Sequence, residues 1–313
     1  MIRLSVSKED NPSGHPAPTL EGKDALWKGC FQAMASDCEL LFEGVTQDQA
    51  KNLTSIAACE AWRIEHKYSR YRHDNIMFQI NHSNGSEISV DQETCALLNF
   101  ADQCFQLSEG LFDVSSGILR KIWHFDGSDT LPSTQEIEKI IPLVGWSKIS
   151  WSTTKLKLKP GMEIDLGGIG KEYAVDKVIQ RLNEVIKTSS KTAFLVNFGG
   201  DLACSGKRLN GQTWQVAIES SEQDKKVPAV VKLSEGAVAT SGDSRRFLLK
   251  DGVRYSHILN PKTAMPVINA PRAISVAAEN CMQAGMLSTL AMLQGEGAED
   301  FLDAQEVQYW IQR

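Results

Sequence analysis

Three glycine-rich turns carry the residue types that handle phosphates: Asp165-Leu-Gly-Gly-Ile-Gly-Lys171, Asn197-Phe-Gly-Gly-Asp201 and Thr240-Ser-Gly-Asp243. The first leads into a helical pattern. Glycines there let a ligand approach the backbone, and a helix N-terminus favours an anion such as a pyrophosphate. Lys171 adds a mobile positive charge. The spacing is neither G-x-G-x-x-G nor a Walker loop, so a tight strand–helix turn with no ligand accounts for the same residues. His257, in Tyr255-Ser-His-Ile-Leu-Asn-Pro-Lys-Thr263, stands before an Asn-Pro turn. That is a catalytic position or an ordinary structural histidine. The other five histidines (His15, His66, His73, His82, His124) have no metal-ligand spacing. No G-x-S-x-G elbow or nucleophilic cysteine context is present. Phe112-Asp113 reads as a ligand loop or a capped turn, and Met34 as a pocket wall or a core residue.

The elements that would position these groups follow from periodicity. Phe31 to Phe42 reads as a strand interrupted at Met34-Ala35-Ser36. Thr46 to about Arg70 reads as a helix, with Ala50, Leu53, Ala57, Ala61 and Ile64 on one face. Val90 to Gln106 is a helix with Ser89 as expected N-cap, and Ser133 to Ile141 is a helix opened by a capping box. Gly110 to Gly117 is a loop, and Ile149 to Leu158 a hairpin. Met162 to Leu166 is a short strand, Lys171 to Val185 a helix and Ala193 to Phe198 a buried strand. Thr213 to Leu249 holds several strands, Ala273 to Ala278 one more, and Cys281 to Gly295 is an apolar helix. Strands and helices mix without steady βαβ alternation, which predicts an α+β single domain over 23–313. Residues 1–22, rich in Pro, Gly and polar types, read as a flexible tail.

Bulk properties narrow the class. The 313 residues are 42% hydrophobic and 23% charged, which excludes disordered and fibrous chains. A net charge of -6 without a basic run gives no reason to expect nucleic acid. Seven scattered cysteines without C-x-x-C read as reduced core thiols. No secretory h-region and no long apolar run stands in the chain, so the expected location is cytoplasmic, with no membrane partner.

The order of the blocks says more than any one of them. MAS (34–36), SRYRHDN (69–75) with Asn81, GLFDVSSG (110–117), WHF (123–125), DLGGIGKEYAVD (165–176), NFGGD (197–201), ATSGD (239–243), SHILNPKT-MP (256–266) and AGMLSTLAMLQG (284–295) resemble the FAD:protein FMN transferases, the ApbE-like flavin transferases. The resemblance covers about residues 30 to 300. It implies an enzyme that takes FAD as substrate, uses Mg²⁺, moves FMN to a Thr or Ser hydroxyl of a target protein and releases AMP. It assigns flavin-nucleotide contacts to Met34, Tyr71, Leu111, Phe112, Asp113, Asp165, Lys171 and Leu259. His257 is the implied base, and the metal falls to the Gly168 carbonyl with Ser288 and Thr289. The chain departs from the pattern where Gly285 replaces the metal-binding Asp and Glu172 the Gly after the lysine. Met-Ala-Ser, Asn260 and Ala264 are lesser departures, and together they mark a divergent branch. A hard cation wants carboxylate oxygens. Gly285 therefore keeps a non-catalytic FAD carrier in view, beside a slow FAD pyrophosphatase and, from the residues alone, a general nucleotide-binding module.

Overall fold

The computed structural model describes residues 1–313 except 8, 13, 24–25, 187–190, 219–229 and 244–246. Nine strands form one sheet: β1 (Ile2–Arg3), β2 (Thr19–Lys23), β3 (Leu26–Ala33), β4 (Ser36–Glu43), β5 (Ala193–Phe198), β6 (Asp201–Cys204), β7 (Ala237–Gly242), β8 (Ala273–Ala278) and β9 (Gln308–Gln312). Their spatial order repeats their chain order, and every neighbouring pair is antiparallel. The excursions between strands carry the helices α1 (Gln47–Tyr68), α2 (Ile76–Asn81), α3 (Gln92–Leu107), α4 (Thr134–Ile140), α5 (Gly170–Ile186), α6 (Cys281–Leu293) and α7 (Ala298–Ala304). This is the expected α+β architecture, a meander with helices inserted rather than βαβ units.

Helices α1, α5 and α6 pack on the sheet and on one another. Along β5, Phe194, Val196 and Phe198 join the core beneath these helices. Ala193 and Leu195 point the other way, into a second cluster under the hairpin of Trp214–Ala217 and Val230–Leu233. Both faces of β5 are covered, so its sequence is a continuous apolar run rather than an alternation. Part of the stretch read as strands over 213–249 lies outside the described residues, at 219–229 and 244–246.

Helix α1 starts where expected and buries the expected apolar face; a capping box between Thr46 and Gln49 opens it. The capping box of α4 at Ser133 is likewise formed. Four expectations change. The first 22 residues are not simply a tail: β1 and β2 extend the sheet, with Leu4 and Leu20 buried. Sparse apolar residues among prolines and glycines hid that pairing. The interruption at Met34 to Ser36 is a two-residue hairpin turn between β3 and β4, with Met34 and Ala35 at φ 52° and 56°. Asp91, not Ser89, caps α3, accepting from Thr94 N at 2.8 Å; Ser89 ends a short strand, Glu87–Ser89. Met162 to Leu166 joins no sheet among the described residues. The Asn81 side chain holds Ile164 instead, donating to its O at 2.9 Å and accepting from its N at 2.8 Å.

No helix among the described residues is long and apolar enough to cross a membrane. The seven cysteines are unpaired, and all but Cys30 and Cys59 are buried.

Candidate active site

The first glycine turn is built by its neighbours. Asp165 N donates to Val114 O at 2.8 Å, and the Asp165 carboxylate accepts from Gly167 N at 2.9 Å. A side chain at Gly117 would overlap Asp165 Cβ, so the 110–117 loop and this turn lie in direct contact. The other carboxylate oxygen of Asp165 pairs with Arg70 Nη1. Arg70 also donates to the Tyr71 hydroxyl at 2.7 Å and lies 4.9 Å from that ring's centre. One arginine thus ties the segment after α1 to the turn before α5.

Helix α5 begins at this turn. Lys171 in its first turn reaches Asp201 at 2.7 Å, at the start of β6. Asp201 is buried and also accepts from Thr240 N at 3.1 Å. Burial works against the Lys171 charge, but the Asp201 carboxylate outweighs it and raises the ammonium's pKa. The Met34 hairpin abuts the same spot: a Cβ on Gly199 would meet Ser36 Oγ at 2.7 Å and Lys171 Nζ at 3.9 Å. Met34 N donates to Glu65 Oε1 at 2.9 Å, which holds a turn whose two central residues both have positive φ. Non-glycine residues held in that region cost of order 1–3 kcal/mol each and cluster at functional sites.

Glu172 follows Lys171 and faces α6. A Cβ on Gly285 would stand 2.5 Å from Glu172 Cγ and 2.9 Å from its Oε1. Glu172 Oε2 is buried with no hydrogen-bond partner. Burial, reinforced by the nearby Asp201 carboxylate, pushes the Glu172 carboxyl up to about 8. One turn further along α6, Ser241 Oγ on β7 lies 2.8 Å from Ser288 Oγ and 2.9 Å from Thr289 Oγ1, and Ser288 donates to Gly285 O at 3.0 Å.

His257 and Leu259 belong to a second group, on the excursion between β7 and β8. Leu259 pairs with Pro266 in a short hairpin and packs against the cluster of Ile118, Leu119 and Trp123. Trp123 Nε1 donates to Ala264 O at 2.8 Å, and the His257 ring meets Phe125 edge-on, 6.2 Å between centres. The 110–117 loop bridges the two groups. A Cβ on Gly110 would lie 3.7 Å from Lys262 Cε, and one on Gly168 3.7 Å from Phe112 Cε2.

The structure thus brings together Asp165, Gly168, Lys171 and Phe112, and sets Ser288 and Thr289 beside Gly285. Met34 sits on the adjoining turn, and Leu111 is half-buried against the main core. Asp113 is different. Its carboxylate accepts from Ser115 N at 2.8 Å, Ser115 Oγ at 2.6 Å and Trp146 N at 2.8 Å, so it caps the 3₁₀ helix Val114–Lys121. The capped-turn reading describes it, and the second half of the expected 110–117 loop belongs to that helix. Tyr71 is 75% exposed and meets the rest through Arg70. The sequence names no partner for Arg70, Asp201, Ser241 or Glu65. Arg70, Asp201 and Ser241 stand inside the quoted blocks, but only the fold shows their partners.

Among the described residues no group of three or more His, Cys, Asp or Glu is placed to hold a metal. Around Gly285 stand the Glu172 carboxyl and, one turn on along α6, the Ser288 and Thr289 hydroxyls with Ser241; the Gly168 carbonyl lies four residues before Glu172 in the chain. They are all oxygens, and one is an orphaned buried carboxylate oxygen. A hard cation that keeps waters and shares substrate phosphates fits such a set.

Comparisons with known proteins show the family and the fold. The family model described as ApbE matches residues 34–311. An FAD:protein FMN transferase of Vibrio cholerae is 30% identical over 239 residues, covering 74% of this chain and 70% of that protein. One of Salmonella typhimurium is 27% identical over 313 residues, covering 94% and 83%. The crystal structure of the ApbE protein from Thermotoga maritima superposes with a TM-score of 0.81 at 27% identity, over 91% of this chain and 94% of that one. The flavin transferase ApbE from Vibrio cholerae gives 0.78 at 25% identity, over 94% of each. One family model spans the strands and helices that assemble the head of α5, and this chain belongs to the ApbE family.

Proposed function

We propose that this chain is an FAD:protein FMN transferase: it moves FMN from FAD to a Thr or Ser hydroxyl of a target protein, releasing AMP, with Mg²⁺ as its metal. The observation that carries the reading is the head of α5. There a helix N-terminus, the Lys171–Asp201 pair and an oxygen-only donor set meet in one place. A pyrophosphate needs backbone N–H groups and positive charge there, and phosphoryl transfer needs charge neutralisation and alignment more than covalent help. The relatives that match this chain carry the same activity in their names.

In this reading the Gly167–Gly168 turn and Lys171 hold the pyrophosphate, with Arg70 keeping Asp165 in place. Met34, Leu111, Phe112 and Leu259 line the flavin-nucleotide site, Tyr71 flanks it, and Asp113 fixes the loop that carries Phe112. The Gly168 carbonyl, Ser288 and Thr289 would hold Mg²⁺, which when bound neutralises charge on the phosphoryl oxygens. His257 takes the proton of the acceptor hydroxyl as its oxygen bonds to the FMN phosphorus. The bond from that phosphorus to the bridging oxygen breaks, and AMP leaves with the electron pair. The seven unpaired cysteines support a reducing compartment, the cytoplasm.

Incubation with FAD, with and without Mg²⁺, followed by chromatography tests the reading. Metal-dependent AMP is expected, with FMN on an added acceptor. FAD that stays intact on the protein in the presence of Mg²⁺ and acceptor points to the carrier that Gly285 keeps in view. FMN freed without an acceptor points to a pyrophosphatase.

A further inference from the structure

We propose that Glu172, reaching across from α5, supplies the carboxylate of the divalent-cation site at the place on α6 where Gly285 has no side chain. The inference rests on the transferase reading above but assigns a ligand on a different helix. Three observations carry it. First, Glu172 fills the volume over Gly285: a Cβ there would meet Glu172 Cγ at 2.5 Å and Oε1 at 2.9 Å. The family resemblance expects a glycine after the lysine and an aspartate on α6, and this chain exchanges both. Either change alone would overfill the space or leave it without a carboxylate. Second, Glu172 Oε2 is buried and accepts no hydrogen bond. An unsatisfied buried carboxylate oxygen is costly, and such groups normally pair or coordinate a metal. Lys171, the ammonium that acts on Glu172, is engaged with Asp201. Third, further oxygen donors adjoin Gly285 and Glu172 along the chain. They are Ser288 and Thr289 on α6, tied to Ser241 at 2.8 and 2.9 Å, and the Gly168 carbonyl four residues before Glu172. One carboxylate, neutral oxygens and the substrate's phosphates are the usual company of Mg²⁺.

The test uses Mn²⁺ in place of Mg²⁺ and reads the free-ion electron paramagnetic resonance signal with the full chain, FAD present. Glu172→Gln keeps size and fold and should weaken Mn²⁺ binding at least tenfold, while FAD affinity measured without metal by flavin fluorescence changes less than twofold. The exchange Glu172→Gly with Gly285→Asp should recover most of the lost Mn²⁺ affinity. Wild-type Mn²⁺ affinity in E172Q, no Mn²⁺ binding by the wild type, or a folded exchange variant as weak as E172Q would each overturn the assignment. AMP release reports separately on the reading beneath it. A wild type that binds Mn²⁺ through Glu172 and never releases AMP sinks the transferase reading alone. Metal-dependent AMP release with unaltered Mn²⁺ binding in E172Q sinks the Glu172 assignment alone.

Discussion

Glu172 on α5 occupies the space that a side chain at Gly285 on α6 would need, with 2.5 Å between Glu172 Cγ and the missing Cβ position. Two helices far apart in sequence therefore share one side chain's worth of room.

That sharing predicts a sign reversal in stability. Overpacking costs typically about 1–3 kcal/mol, whereas alanine gains roughly 1 kcal/mol over glycine in a helix interior. Gly285→Ala should lower the unfolding midpoint in the wild type and raise it in a Glu172→Ala background. A urea double-mutant cycle measures this, and equal effects in both backgrounds would refute the packing relation.

The Lys171–Asp201 pair makes a second prediction. Removing Lys171 leaves the buried Asp201 without its cation; because Lys171 is 27% exposed, the cost lies at or below the low end of the about 3–5 kcal/mol for a fully buried pair. Lys171→Met should be destabilising on that scale, and Asp201→Asn added to it should restore part of the loss. Chemical denaturation of the single and double variants decides it.

Glu93 links stability to pH. Burial would raise its carboxyl, but Arg63, Lys67 and Tyr173 all donate to it and hold it down, at about 2 against an ordinary 4.5. The folded value lies below the unfolded one. Its contribution is therefore fully present above about 4.5 and is lost as pH falls toward 2. After allowance for partial exposure the effect is about 2 kcal/mol. Glu93→Gln should flatten the fall in urea midpoint between pH 6 and pH 3; an unchanged slope would show the carboxylate is not the group concerned.

The His257 ring meets Phe125 edge-on, 6.2 Å between ring centres. His257→Ala should reduce transfer by about 10²–10⁴-fold, the usual range for a general base. FAD affinity should stay within a few-fold. Equal loss of affinity and rate would make it a binding residue.

The Met34–Ala35 turn stores backbone strain. Ala35→Gly should stabilise the chain by roughly 1 kcal/mol, because φ 56° costs a Cβ-bearing residue about that much. Thermal unfolding checks it, and a lowered midpoint would mean that Ala35's methyl packing outweighs the strain.

Local chemistry determined much of this protein. Ser133 with Glu136 specifies a helix start within four residues, and the apolar spacing of α1 specifies its buried face. Such signals depend only on neighbours along the chain, so they are legible there. The order of the nine blocks likewise located the glycine turns, Lys171, His257 and the oddity of Glu172 and Gly285. Tertiary structure decided what joins residues far apart in sequence. It gave the 162–166 segment the Asn81 side chain in place of a strand partner, and it drew the first residues into the sheet. It turned Asp113 into a cap for the segment beside Trp146. It also set Arg70 on Asp165 and Lys171 on Asp201, pairs 95 and about 30 residues apart whose partners no spacing rule names. Above all, it placed Glu172 over Gly285, because only the packing of α5 against α6 makes those two departures one change.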